Sequence, residues 1–289
     1  MLAANEAAGA AAAGAARFLG VSPTAVIGGG GGDQHAAALG LTVEPDDVVY
    51  TIGTSGVVFT VSHEPVFDLA GIVDGVADMA GGYLPLVSTL NAARVTDWVA
   101  GLLGVGHAEL AELALSADSA RAPVLAAFLD GERKPNRPDA TGVLAGLTSA
   151  TSRADLARAA HDGVVLGLLR GELSMNAAGV ATGGRVLITG GGGRSPAYRQ
   201  ILADLTGRPV LAADPIDANE ASARGAAVQA AAVTSGLPVE QVRQAWAVTT
   251  TVVAEPGPAT ENLRTELLAR YLAVADWTGF DSTDHGAAT

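Results

Sequence analysis

GGGGGDQHAAALG, residues 28 to 40, runs five glycines into one carboxylate, Asp33, and then into an alanine-rich stretch of helical character. Glycines at this density let the backbone approach a bound molecule closely and take positive φ where a turn needs it. A helix opening just after them aims its free N–H groups and the positive end of its dipole at the same place. One carboxylate at such a junction is suited to act as a general base. By itself a glycine run marks only a turn. Asp33 gains meaning from two further glycine-centred segments.

The first lies between two β-branched runs, Val48 to Ile52 and Val57 to Ser62, joined by Gly53-Thr54-Ser55-Gly56. This is the pattern of a β-hairpin whose turn carries two hydroxyls, and its amides can hold phosphoryl oxygens. The second is Thr189-Gly190-Gly191-Gly192-Gly193-Arg194-Ser195, which follows the short buried strand Arg185 to Thr189 and precedes a helix from Ser195 to Leu205. A nucleotide commonly lies at such a strand-to-helix crossing, outside the carboxyl end of a sheet. The glycine spacing differs from the dinucleotide fingerprint, and no lysine follows as in a P-loop. A hairpin turn and a close strand–helix junction are the simpler readings of each segment taken alone.

The rest of the chain alternates. Ile72 to Met79 and Tyr83 to Val87 read as strands, and Asn91 to Leu103 as a helix burying Ala93, Trp98 and Leu102. Arg153 to Ala177 is a long helix started by Ser152, with Asp155 placed for a capping box. Pro209 to Leu211 reads as a strand, Glu220 to Thr234 as a helix, and Glu261 to Trp277 as a closing amphipathic helix. Leu2 to Ala16 reads as a helix, Trp246 joins Trp98 and Trp277 as core or interface anchors, and the last eight residues read as frayed. Antiparallel strands followed by β-α-β-α predict an α/β protein, a mixed sheet with helices packed on it.

Composition narrows the function. The 289 residues are 49% hydrophobic with a formal net charge of −13, and Lys134 is the single lysine. The sequence pI is about 4.7. No basic patch is present, so the expectation is no nucleic acid and no membrane partner. An acidic protein that handles a polyanion relies on backbone amides, arginines or a metal ion. The chain has no cysteine, which excludes disulfides, thiolate metal sites and cysteine nucleophiles. His63, His107, His161 and His285 show no ligand spacing, so no histidine metal site is expected; His35 reads as a polar residue on a helix. No signal segment opens the chain, and a cytoplasmic enzyme or enzyme part is the expectation.

The ordered set GGGGDQ-AAALG, IGTSG, GER-P, ATG-L-GLT, ITGGGGRS and NEASARGAA resembles the carboxyl-terminal domain of the FGGY carbohydrate kinases, and within them the D-xylulose kinases most. The likeness runs from about Pro23 to Ser235. It implies an actin-like ATPase (ribonuclease H-like) fold, with ATP and a small-molecule sugar held between two related domains. By this resemblance Asp33 is the catalytic base that also touches the sugar, and Gln34 is a polar contact to the sugar. Gly53, Thr54 and Ser55 hold the terminal phosphates, Gly142 lies against the nucleotide phosphates, and Gly191 and Gly192 form the adenosine-side loop. Gly131-Glu132-Arg133 matches the GER motif, where a loop-bracing ion pair and a substrate contact both stay open.

The resemblance also implies an amino-terminal domain that carries an Asp-x-Gly-Thr/Ser loop for phosphate and Mg²⁺. Nothing before Gly28 reads as that domain. The expected organisation is therefore residues 1–22 as its tail end, 23–236 as the nucleotide-binding domain and 237–289 as a helical tail. The partner expected is a missing amino-terminal half or a second copy in a homodimer. Phosphorylation of D-xylulose, of another polyol or sugar acid, and a non-catalytic actin-like nucleotide-binding module are the readings left open.

Overall fold

The computed structural model describes residues 2–214, 218, 220–258 and 261–278. The chain opens with a hairpin of β1 (Ala7–Ala10) and β2 (Val26–Gly28), which carries helix α1 (Ala13–Leu19) between its strands, and α2 (Asp33–Gly40) follows. Next come β3 (Val48–Ile52), β4 (Gly56–Phe59), β5 (Asp74–Ala77) and β6 (Tyr83–Thr89), then α3 (Ala93–Leu103) and α4 (His107–Ser116). A small hairpin of β7 (Val124–Ala126) and β8 (Val143–Ala145) leads into the long α5 (Arg153–Ala177). The remainder is β9 (Val186–Thr189), α6 (Pro196–Thr206), β10 (Val210–Ala213), α7 (Ala221–Ser235), α8 (Val239–Ala245), β11 (Thr250–Ala254) and α9 (Glu261–Ala275).

Seven strands form one sheet in the order β11-β10-β9-β3-β4-β6-β5. β3, β9 and β10 run parallel, while β4, β6, β5 and β11 pair antiparallel to their neighbours. This is the expected mixed sheet with helices. Strand alternation divides the core into two layers. Val48, Tyr50 and Ile52 face a large cluster completed by α3, α4, α5, α6 and α9. Val49, Phe59 and Leu187 face the other way, onto Ala37 and Ala38 of α2, Leu41 at its C-cap and Ala221 of α7. The expected capping box of α5 is formed: the Asp155 N–H donates to Ser152 Oγ at 3.2 Å, and the Ser152 N–H donates to Asp155 Oδ2 at 2.8 Å.

Several expectations are corrected. Leu2 to Ala16 is not one helix, because Ala7–Ala10 pairs with Val26–Gly28 and the helix starts only at Ala13. On α3 the buried residues are Val95, Thr96, Val99 and Ala100, while Trp98 is 44% and Leu102 67% exposed. Packing against α5 selects the face one residue away from the bulky side chains. Trp246 and Trp277 are also half-exposed and do not anchor the core. Beyond Leu237 the chain adds α8, the edge strand β11 and α9, whose Leu267, Tyr271 and Ala275 close the core. The last eight residues lie outside the described ones. Among the described residues no single helix is long and apolar enough to cross a membrane.

Candidate active site

Asp33 is the first residue of α2, with Gly32 as an extended N-cap and Gly30 at φ +71 in the loop before it. Met79 packs so close that a β-carbon at Gly31 would lie 2.4 Å from its sulfur. The loop is fixed by one face of α7. Ser222 Oγ donates to the Asp33 carbonyl oxygen at 2.9 Å, and Gln229 Oε1 accepts the Gly30 N–H at 3.0 Å. Between them Gly225 lets the two helices touch: a β-carbon there would lie 1.8 Å from the Ala36 carbonyl oxygen, and one at Gly40 2.1 Å from that of Ala221. Positions 222, 225 and 229 share a helical face. The Asp33 carboxylate is exposed, and its Oδ1 accepts the Gln34 N–H at 2.8 Å. Gln34 holds an enclosed Oε1 with no donor among the described residues.

The other two glycine segments meet at the carboxyl ends of β3 and β9. The Gly53 N–H donates to the Ser55 carbonyl at 3.0 Å, while the carbonyls of Gly53 and Thr54 accept the N–H groups of Ala93 and Ala92 at 2.9 and 3.2 Å. The turn is thereby tied to the start of α3. Gly190, at φ +81, and Gly192 lie on Ile52, where a β-carbon would come within 2.6 Å of its carbonyl oxygen and 2.4 Å of its Cγ2 respectively. Arg199 Nε braces this loop by donating to the Gly193 carbonyl at 2.6 Å. The N–H groups of Thr54, Ser55, Gly191 and Gly192 have no acceptor among the described residues. They are free donors of the kind that bind phosphoryl oxygens.

Gly53, Thr54, Gly191, Gly192, Arg194 and Ser195 line a cavity of about 460 Å³, together with Thr96, Asp97, His107, His161 and Tyr198. Ser55 is exposed on the hairpin turn beside it. Asp33 and Gln34 do not line the cavity. Thr189 Oγ1, next to the Gly190 loop, donates to the Ala218 carbonyl at 3.5 Å, and Ser222 of α7 reaches the Asp33 carbonyl. Gly142 sits immediately before β8, against Leu129, and does not line the cavity.

Glu132 of the GER segment is buried. Its Oε1 accepts the N–H groups of Leu90 and Arg133 at 2.5 and 2.7 Å, and its Oε2 accepts Asn91 Nδ2 at 3.0 Å. It braces the approach to α3 through amides. Arg133 turns instead to Ser88 Oγ, at 3.2 Å.

Sequence reasoning assigned no role to Arg194, Tyr198 or His161. Arg194 and Ser195 were visible inside the glycine motif. His161 and Tyr198 sit in apolar helical stretches, where nothing in the spacing separates a cavity wall from core. Burial holds His161 neutral, down to about 4, with Arg158 adding to the effect and a bond to the Ala157 carbonyl opposing it. Burial likewise pushes the Tyr198 phenol up.

The chain is an α/β domain with unpaired amides on two loops outside the carboxyl ends of parallel strands, and with a carboxylate at a separate helix start. Residues 48–234 match the carboxyl-terminal domain of the FGGY family of carbohydrate kinases, and the chain belongs to that family. It is 38% identical to the xylulose kinase of Streptomyces coelicolor over 221 residues, covering 76% of this chain and 44% of that relative. It superposes on the crystal structure of xylulose kinase from Bifidobacterium adolescentis with a TM-score of 0.78 at 36% identity, over 93% of this chain and 52% of that one. A xylulose kinase structure from Brucella ovis, at 24% identity, shares the fold with a TM-score of 0.84 over 94% of this chain and 56% of its own. The fold is the actin-like ATPase type. The chain spans about half the length of these relatives.

Proposed function

We propose that this chain is the nucleotide-binding and base-supplying half of a carbohydrate kinase that uses ATP to phosphorylate a sugar hydroxyl, with D-xylulose as the substrate and D-xylulose 5-phosphate as the product. The observation that carries this reading is that Thr54, Gly191 and Gly192, from two separate loops and with unpaired N–H groups, line one cavity. The xylulose kinase relatives support the choice of sugar.

In this reading Gly53, Thr54 and Ser55 hold the terminal phosphates, Gly191 and Gly192 pass under the adenosine side, and Gly142 closes on the phosphates from the β7–β8 hairpin. Asp33 takes the proton from the sugar hydroxyl as its oxygen attacks the γ-phosphorus. The bond from that phosphorus to the β–γ bridging oxygen breaks, and ADP leaves. General-base help of this kind is worth on the order of 10²–10⁴ in rate, and positioning supplies much of the remainder. Gln34 offers its open Oε1 to a sugar hydroxyl. Among the described residues no group of three His, Cys, Asp or Glu side chains could hold a metal ion. Mg²⁺ held by the nucleotide phosphates would neutralise part of their charge. Residues 1–22 end an amino-terminal domain that completes the sugar pocket, supplied by a longer chain or a second copy, and the protein works in the cytoplasm.

Calorimetric titration of ATP–Mg²⁺ into the 289-residue chain, followed by coupled ADP release with D-xylulose, tests the reading. Binding with little or no turnover is expected of half a two-domain site, since domain closure assembles such sites. Absence of any nucleotide binding would overturn it.

A further inference from the structure

We propose that Glu132 is a positioning residue for the Gly53–Gly56 turn: it fixes the start of α3, and through it the two peptide planes whose N–H groups, those of Thr54 and Ser55, stay open for a ligand. The inference rests on the nucleotide-binding reading above for the identity of that ligand, and on the hydrogen bonds alone for the orientation.

α3 starts without a capping side chain, because its N-cap is Ala92. The first N–H groups of a helix have no partner within it. Here two of them are spent on the turn: the Ala93 N–H donates to the Gly53 carbonyl at 2.9 Å, and the Ala92 N–H to the Thr54 carbonyl at 3.2 Å. In a planar trans peptide the C=O and the N–H that follows it point in opposite directions. The bond on the Gly53 carbonyl therefore turns the Thr54 N–H away from α3, and the bond on the Thr54 carbonyl does the same for the Ser55 N–H. These two N–H groups have no acceptor among the described residues, and Thr54 lines the cavity. A flip of either plane would set a carbonyl oxygen where a phosphoryl oxygen needs a donor.

Glu132 holds the residues just ahead of Ala92. Its Oε1 accepts the Leu90 N–H and its Oε2 accepts Asn91 Nδ2, which also donates to the Gly131 carbonyl at 2.8 Å. Two successive residues are thus tied to one carboxylate from a loop distant in sequence. That loop is itself fixed to β6, where Arg133 Nη1 donates to Ser88 Oγ at 3.2 Å. All three partners of the carboxylate are N–H donors. An ionised carboxylate only accepts and meets all of them, whereas a carboxamide has to aim its own N–H₂ at one. Glu132 is buried and does not line the cavity, so it acts on a ligand through the turn.

The test compares the full chain with Glu132→Gln, Glu132→Asp and Leu267→Ala, the last a truncation in the core beneath α9 that controls for lost stability. Calorimetric titration with ATP–Mg²⁺ and with AMP separates the terminal phosphates from the rest of the nucleotide. In Glu132→Gln the ATP–Mg²⁺ affinity should fall about fivefold or more, while AMP binding stays within about twofold. Glu132→Asp, which keeps an all-acceptor carboxylate, should recover part of the loss. Leu267→Ala should lower the urea midpoint and leave both affinities unchanged. Equal losses for the two nucleotides, or ATP–Mg²⁺ binding unchanged in Glu132→Gln, would overturn the positioning role. Amide hydrogen exchange in the unaltered chain decides even where a variant fails to fold: Ala92 and Ala93 should be protected and Thr54 and Ser55 should exchange freely. The reverse pattern would overturn the orientation. Absence of ATP–Mg²⁺ binding by the unaltered chain would overturn the nucleotide-binding reading, and the exchange pattern would then judge the orientation by itself.

Discussion

Gly225 lies so close beneath Ala36 that a β-carbon on it would fall 1.8 Å from the Ala36 carbonyl oxygen. The helix beginning at Asp33 is thus laid against α7 with no side chain between them, and Ser222 and Gln229 tie down its two approaches. Ser222, Gly225 and Gln229 thus brace the helix that carries the catalytic candidate. Gly225→Ala should cost about 2 kcal/mol or more, because overpacking against backbone outweighs the roughly 1 kcal/mol gained in helix propensity. Urea unfolding measures it, and equal or greater stability would refute the packing argument.

Glu132→Gln should destabilise the chain by about 1–3 kcal/mol despite its matching shape. The buried carboxylate accepts three N–H groups through two oxygens, and an amide would aim its own donors at one of those partners. Denaturant midpoints compare the two proteins. Unchanged stability would mean that the brace on Leu90 and Asn91 is dispensable.

His161 sets an acid limit on stability. Its folded pKa is depressed from 6.5 to about 4, chiefly by burial, so the unfolded ring takes a proton in that window while the native ring does not. Unfolding then takes up protons, and stability falls as pH drops from about 6.5 through about 4. Asp162 works in the opposite direction. Burial outweighs its 2.7 Å bond from Arg158 and pushes it up to about 6, so its stabilising effect is lost as pH rises from 3.8 through about 6. Comparison with His161→Phe isolates the histidine: acidification from about pH 7 to about 4.5 should cost the unaltered chain about 2–3 kcal/mol more than the variant. Parallel losses in both proteins would show that the ring is not held neutral.

Asp33→Asn should leave folding intact, because the side chain is exposed and its contact to the Gln34 N–H survives in an amide oxygen. In any form that turns over, kcat should drop on the order of 10²–10⁴ with nucleotide affinity little changed. Full turnover would remove Asp33 from the role of base.

Arg194 lines the cleft and forms no ion pair among the described residues. Arg194→Ala should weaken ATP–Mg²⁺ binding by roughly three- to tenfold and flatten its salt dependence, as expected for a charge-assisted contact. A salt dependence equal to that of the unaltered chain would place the arginine away from the phosphates.

The sheet and its loops were legible because each signal was local. Alternation in Val48–Ile52, the tight GTSG turn and the glycines after Thr189 carry their own geometry, and Ser152 with Asp155 marks a helix start within one turn. Which face of α3 is buried was not legible, since helical spacing offered both Trp98 and Val99 and contact with α5 chose the smaller residue. The strand Ala7–Ala10 was hidden because alanine and glycine favour no pleat by themselves, and only pairing with Val26–Gly28 makes it one.

By itself the sequence determined the order of elements, the positions of the glycine loops and the single carboxylate at the mouth of α2, because backbone freedom and side-chain chemistry belong to each residue wherever it lies. Only the tertiary structure decided that two of those loops share one cavity, that Gly225 and Gly40 sit at a helix contact, and that His161 and Tyr198 pack ring against ring beside that cavity. Those properties depend on which distant groups are brought within hydrogen-bonding or van der Waals range, and no local pattern encodes that distance.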